Sequence, residues 1–116
     1  MPTQKYLFLY RGSPRTGQPQ PEPSPAQMQE MFAAWNAWKE RFKDNILDMG
    51  AKLKRTGKVL TASEVTDGPH MEGKEVVGGY MIVVADSYER ALTVGREMPG
   101  MDMPGARLEI RELEVF

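Results

Sequence analysis

Two segments of this sequence are apolar at every position: Tyr6-Leu7-Phe8-Leu9-Tyr10 near the start and Tyr80-Met81-Ile82-Val83-Val84 in the second half. A strand with one face in water alternates apolar and polar residues, because successive side chains point to opposite faces. A strand that is apolar throughout requires cover on both faces. The two runs are short, and they are bounded by Lys5 and Arg11 in the first case and preceded by Gly78-Gly79 in the second. They are read as the two central strands of one sheet, the first spanning Lys5 to Arg11, and every other element has to be arranged around them.

From Ser13 to Ser24 the chain carries Pro14, Pro19, Pro21 and Pro23 among few apolar residues, which suits neither a ladder nor a helix. It reads as an extended connector, with a lid over a pocket as the alternative because loops of this length often serve function. Ser24, Pro25 and Gln27 then have the spacing of a capping box with proline at the first helical position. Met28, Met31, Phe32, Trp35, Trp38, Phe42, Ile46 and Met49 recur at steps of three and four, and the spacing predicts one long amphipathic helix ended by Gly50. Lys39 falls on the same side as Trp35 and Phe42. Its stem can lie along the apolar surface with the ammonium in water, or the ammonium can be aimed into a pocket.

From Ala51 onward Leu53 sits between two lysines, followed by Val59 and Leu60, which predicts a half-exposed edge strand over this stretch. Asp67-Gly68-Pro69-His70 has the composition of a turn. After the Tyr80 to Val84 strand, Asp86 or Ser87 caps a shorter helix with Ala91, Leu92, Val94 and Met98, closed by Pro99-Gly100. Leu108 and Ile110 then alternate with Arg107, Glu109 and Arg111 in a last edge strand.

The order is strand, helix, strand, strand, helix, strand, with the apolar strands first and third. That is the α+β, ferredoxin-like βαββαβ arrangement, an antiparallel four-stranded sheet with the first and third strands central. Right-handed crossovers place the two helices on one face. The other face then exposes apolar side chains, and such a patch marks an interface. The expectation is a homodimer that pairs through the helix-free sheet face about a two-fold axis.

A chain of 116 residues is expected to form one domain over residues 1–116. Fifteen basic residues against sixteen acidic ones leave a net charge of -1, which offers no basic surface for phosphate backbones, so nucleic acid is not an expected partner. No stretch has the length of a membrane span, and the first apolar run is shorter than a signal-peptide core, so a cytoplasmic location is expected and a membrane partner is not. The absence of cysteine excludes disulfides, thiolate catalysis and cysteine-held metals, and with a single histidine neither a metal nor a cofactor is expected.

The segment Val65-Thr66-Asp67-Gly68-Pro69-His70, with Lys74-Glu75, Gly78-Gly79-Tyr80 and later Ala85-Asp86-Ser87 and Ala91, resembles the DGPF branch of the YCII-related family, and Lys5-Tyr6 with its aliphatic run is similar as well. The resemblance spans nearly the whole chain. It implies a dimeric α+β barrel with a cleft between sheet, first helix and the Asp-Gly-Pro segment. It implies no settled activity: family members are regarded on structural grounds as small-molecule enzymes, and some are associated with sigma-factor systems, which suggests regulation. Two departures stand out. His70 replaces the usual phenylalanine after Asp-Gly-Pro, and Gln27 occupies the region where shorter members carry a histidine assigned a catalytic role. Asp48 could match the aspartate paired with that histidine, but helical counting puts it opposite the apolar stripe.

Asp67 and His70 are close enough in sequence for a carboxylate to orient an imidazole as general acid or base, and Lys74 could neutralise an anionic ligand or an oxyanion. Alternatively Asp67 closes an Asx-turn, His70 is a solvated loop residue and Lys74 is an edge lysine. Gly78-Gly79 enters a strand rather than a helix, so it is no dinucleotide fingerprint; a bulge or a close backbone approach is expected there. Tyr6, Trp35, Lys39, Gly79 and Tyr80 are the candidate ligand-binding residues. Two functions are open: a metal-independent enzyme acting on a small molecule in a cleft of each subunit, or a non-catalytic small-ligand-binding or regulatory dimer.

Overall fold

The structure, a computed structural model, describes residues 3–12, 24–54, 56–69, 76–102 and 105–114. The proline-rich stretch up to residue 23, His70 and Lys74 lie outside the described residues. The elements run β1 (Gln4–Gly12), α1 (Pro25–Arg41), β2 (Ile46–Lys52), β3 (Gly57–Leu60), β4 (Val65–Gly68), β5 (Val76–Ala85), α2 (Tyr88–Arg96) and β6 (Arg107–Glu112). The main sheet is antiparallel with order β2-β5-β1-β6, so the two continuously apolar strands are its centre, as their composition requires. With both helices this is the expected ferredoxin-like α+β fold. Among the described residues no helix is long and apolar enough to cross a membrane.

Register decides which side chains share a face. Tyr6 lies opposite Val83 and Phe8 opposite Met81, and Phe8 is also opposite Ile110 of β6. All five point to one side, because directly opposed residues of an antiparallel pair project together. There they meet Trp38 and Phe42 of the first helical segment and Ala91, Val94 and Met98 from the second, forming one buried core. Trp38 Nε1 donates to the Val94 carbonyl at 3.0 Å, which ties the two helices together and satisfies the indole inside the core. Both helices thus cover one face. The intervening residues, Leu7 and Leu9 of β1 opposite Ile82 and Tyr80 of β5, project from the other face, where no helix packs.

The start of α1 is as its sequence predicts: Ser24 Oγ accepts from the Gln27 amide at 3.1 Å, and the Ser24 amide donates to Gln27 Oε1 at 2.8 Å. Its end is not. The helix stops at Arg41 with Phe42 as its C-cap, and Ile46 and Met49 belong to β2 rather than to the apolar stripe. Asn45 takes over the chain here. Its side-chain amide donates to the Val84 carbonyl at 2.8 Å and its own carbonyl accepts from the Val84 amide at 2.7 Å, so pairing with β5 begins before another helical turn can form. A step of three between Ile46 and Met49 fits either structure, and the vacant edge of an apolar central strand selects the ladder.

Gly50 consequently ends no helix. It sits in a β-bulge of β2 with φ 65°, and a Cβ there would stand 1.9 Å from the Tyr80 carbonyl oxygen. The expected edge strand from Ala51 to Leu60 also divides. Ala51 and Lys52 finish β2, whereas Gly57–Leu60 pairs with Val65–Gly68 in a separate hairpin. The turn of that hairpin is formed by residues 61–64, where the Thr61 amide donates to the Glu64 carbonyl at 2.8 Å. Asp67 and Gly68, expected in a turn, are strand residues. Ser87 rather than Asp86 caps α2, accepting from the Arg90 amide at 3.1 Å.

Two outcomes follow from this packing. Gly50→Ala forces a Cβ into a left-handed backbone position and against a neighbouring carbonyl, and should cost roughly 3 kcal/mol in denaturant unfolding by detaching β2. Burial raises the Tyr6 phenol above its ordinary value of 10.0, and the charges of Glu112, Tyr88 and Asp86 add to the effect. The folded state therefore holds this proton more tightly than the unfolded chain. The resulting stability is fully present below about pH 10 and is lost as pH rises through the folded-state value. Tyr6→Phe should accordingly flatten the fall of unfolding free energy above pH 10, measured by denaturant titration across alkaline pH.

Candidate functional site

The sheet, its helices and the hairpin place the candidate residues in three different surroundings. Tyr6 and Trp35 stand on the helix side. Tyr6 is 1% exposed, with its ring edge-on to Tyr88 at 4.8 Å, and it functions as core. Trp35 is partly buried, edge-on to Trp38 at 5.5 Å, and Lys39, one turn further on, is exposed. Tyr80 projects from the helix-free face and is 39% exposed. Gly79 is buried between Tyr10 and Lys52, and a Cβ there would lie 3.2 Å from the Ala51 carbonyl oxygen. The register shifts at this point, with Tyr10 opposite Gly79 but Arg11 opposite Val77, so Gly78 is the extra residue of a bulge. The glycine pair thus serves the bulge and the close approach expected of it.

Asp67 is in the third setting. It lies on β4 directly opposite Lys58 of β3, and its carboxylate accepts from the Lys58 ammonium, with both side chains largely in water. His70 and Lys74 are outside the described residues, so the described partner of Asp67 is Lys58. In sequence that pairing is visible only if the hairpin centred on residues 61–64 is recognised, because it depends on a nine-residue separation across the turn. Asp48, in turn, accepts from the Gly50 amide at 2.8 Å and supports the β2 bulge.

Two shallow concavities are formed by the described residues. One, of about 250 Å³, lies between the helices over Ala34, Ala37 and Trp38, with Arg41 and Glu97 paired at 2.9 Å on its rim. The other, of about 260 Å³, is at one end of the sheet and is lined by Arg11, Arg107, Leu108 and Glu109. Here Arg11 Nε donates to Glu109 Oε1 at 2.8 Å, while Glu109 Oε2 faces Arg111 Nε at 4.0 Å. Glu109 is thereby shared by two guanidinium groups on the helix-free face. In sequence Glu109 simply alternates with Leu108 and Ile110 on an edge strand; its pairing with Arg11 depends on β1–β6 register, which no local pattern encodes. Neither concavity contains Asp67, Tyr6 or Tyr80.

The C-terminal end of β1, the end of β2 and the start of β5 coincide at one end of the sheet, as the antiparallel register requires. In sequence the Asp67-Gly68-Pro69 segment is followed by His70 and Lys74 before β5 begins. Among the described residues no group of His, Asp and Glu side chains is arranged to hold a metal ion.

A search of curated proteins finds no match to this sequence. The profile of the YCII-related domain matches residues 19–114, which takes in α1, the hairpin with its Asp-Gly-Pro segment, both central-sheet partners of β1 and α2. The chain belongs to the YCII-related domain family.

Proposed function

We propose that this protein is a cytoplasmic homodimer, paired through the helix-free face of its sheet, that binds a small polar or aromatic molecule in a cleft completed by the pairing. The observation that carries this reading is the composition of that face. Leu7, Leu9, Ile82 and Val84 occupy its centre beside Tyr80, while charged residues such as Lys5, Asp48, Glu109 and Arg111 stand around them. An apolar centre within a polar rim is the anatomy of a protein interface. Asp67 lines neither of the two concavities described above, which is compatible with a cleft completed by a second subunit.

Binding is favoured over catalysis by the position of Asp67. Its side chain extends into solvent from a hairpin and is held by Lys58, whereas a catalytic carboxylate works in a water-poor site. A regulatory role of the kind associated with sigma-factor systems is compatible with this reading. The second reading is a metal-independent enzyme in which His70 is the acid or base, Asp67 orients it and Lys74 stabilises an anion. It is supported by the closeness in sequence of Asp67, His70 and Lys74, three groups suited to acid–base chemistry.

Light scattering should give twice the chain mass for the wild type and the single-chain mass for Leu7→Lys combined with Ile82→Lys, since two buried lysines per subunit cannot be accommodated in an apolar interface. A wild type at the single-chain mass would end the dimer reading. In a thermal-shift screen of small metabolites, a stabilising compound should also stabilise His70→Ala and persist unchanged in solution. Turnover of that compound by the wild type, abolished in His70→Ala, would favour the enzyme reading instead.

A further inference from the structure

The hairpin β3–β4 forms a sheet of its own, separate from the four-stranded one. Beyond each other, its strands make no substantial contact with the remaining elements among the described residues. An isolated two-stranded hairpin is marginal in water and needs a surface to pack on. It also exposes apolar side chains at its tip: Leu60, 78% exposed, lies directly opposite Val65, 60% exposed. Strand alternation puts Lys58 and Asp67, the next pair on the same side, on the face that carries these two residues.

A matching surface exists on α1. The apolar stripe of this helix is buried only where Trp38 and Phe42 enter the core, and its N-terminal half leaves Met28, Met31 and Phe32 about half exposed. From Met28 to Phe32 that is about 6 Å of uncovered apolar helix. The hairpin of the same chain does not cover it. Among the described residues neither surface has a partner, both are apolar, and they belong to one sequence.

We propose that the hairpin is an exchange arm: Leu60 and Val65 of each protomer dock on Met28, Met31 and Phe32 of the partner subunit, carrying Asp67 with them so that the ligand site is completed by the other chain. The inference rests on the dimer reading above and adds to it a second contact. The size of the interface argues for that contact. The helix-free face offers about a dozen side chains, short of the roughly 20–30 per partner in a stable interface. The arm and the exposed half of α1 hold the most exposed of the large apolar side chains, Leu60, Val65 and Phe32, and can supply part of the difference. A two-fold axis closes the arrangement, since each arm meets one helix of the other protomer. In the docked state the Asp67 carboxylate and Lys58 ammonium face a methionine-rich and aromatic helix surface. That combination suits a small organic molecule with an apolar or aromatic body and a polar end.

The chain contains no cysteine, which makes the contact directly testable by cross-linking. Phe32→Cys combined with Leu60→Cys, oxidised with glutathione disulfide, should run at twice the chain mass on a non-reducing gel, while each single variant stays at the chain mass. Leu60→Glu, at a position too exposed to disturb the fold, should keep its circular dichroism and weaken self-association at least tenfold. A double variant that remains at the chain mass, or an equal yield of cross-linked dimer from either single variant, overturns the exchange arm. If light scattering still shows a dimer in that case, the sheet-face reading stands without it; a wild-type protein at the single-chain mass removes both.

Discussion

The pairing of β1 with β5 governs the rest of this structure. Because every position in the middle of both strands is apolar, their register produces two apolar surfaces back to back, one headed by Tyr6, Phe8, Met81 and Val83 and the other by Leu7, Leu9, Ile82 and Tyr80. The chain supplies helices enough for one surface only. Trp38, Phe42, Ala91, Val94 and Met98 close the first into a core, with the Trp38–Val94 hydrogen bond fixing the helices to one another. The second surface is left with an apolar centre and a charged rim, and the functional reading follows from how that surface is covered.

The parts of this architecture that were legible in sequence are those in which a local pattern and the global packing demand the same structure. The two apolar runs announced the central strands, the Ser24–Gln27 spacing announced the helix start, and the order of elements then fixed the topology. The end of α1 was not legible, because Ile46 and Met49 fit a helical stripe as well as a strand. What decided between them was a long-range event, the capture of Asn45 by Val84 on a strand nearly forty residues away. The β3–β4 hairpin was hidden for a related reason. Its strands are short, and the glycine and proline of the Asp-Gly-Pro segment imitate a turn, although the actual turn is made by Thr61 and Glu64.

The candidate site shows the same division more sharply. Residue types suited to chemistry could be named from sequence, but their neighbours could not. Tyr6 proved to be core, Tyr80 lies across the sheet from it, and Asp67 is paired with Lys58 rather than buried in a cleft. Arg11 and Glu109, which pair at 2.8 Å on the helix-free face, went unremarked because only register brings them together. A single copy of the fold therefore scatters the features that its family motif groups along the chain. A second copy, added on the uncovered face and reached by the hairpin, offers a physical means of gathering them.

The central claim is that the second apolar surface is covered by another copy of the chain. It is tested most directly by the dependence of the thermal unfolding midpoint on protein concentration, because unfolding that releases two chains is opposed by mass action. The account expects the midpoint to rise steadily across a hundredfold increase in concentration. A midpoint that stays constant over that range, with reversible unfolding, would contradict it.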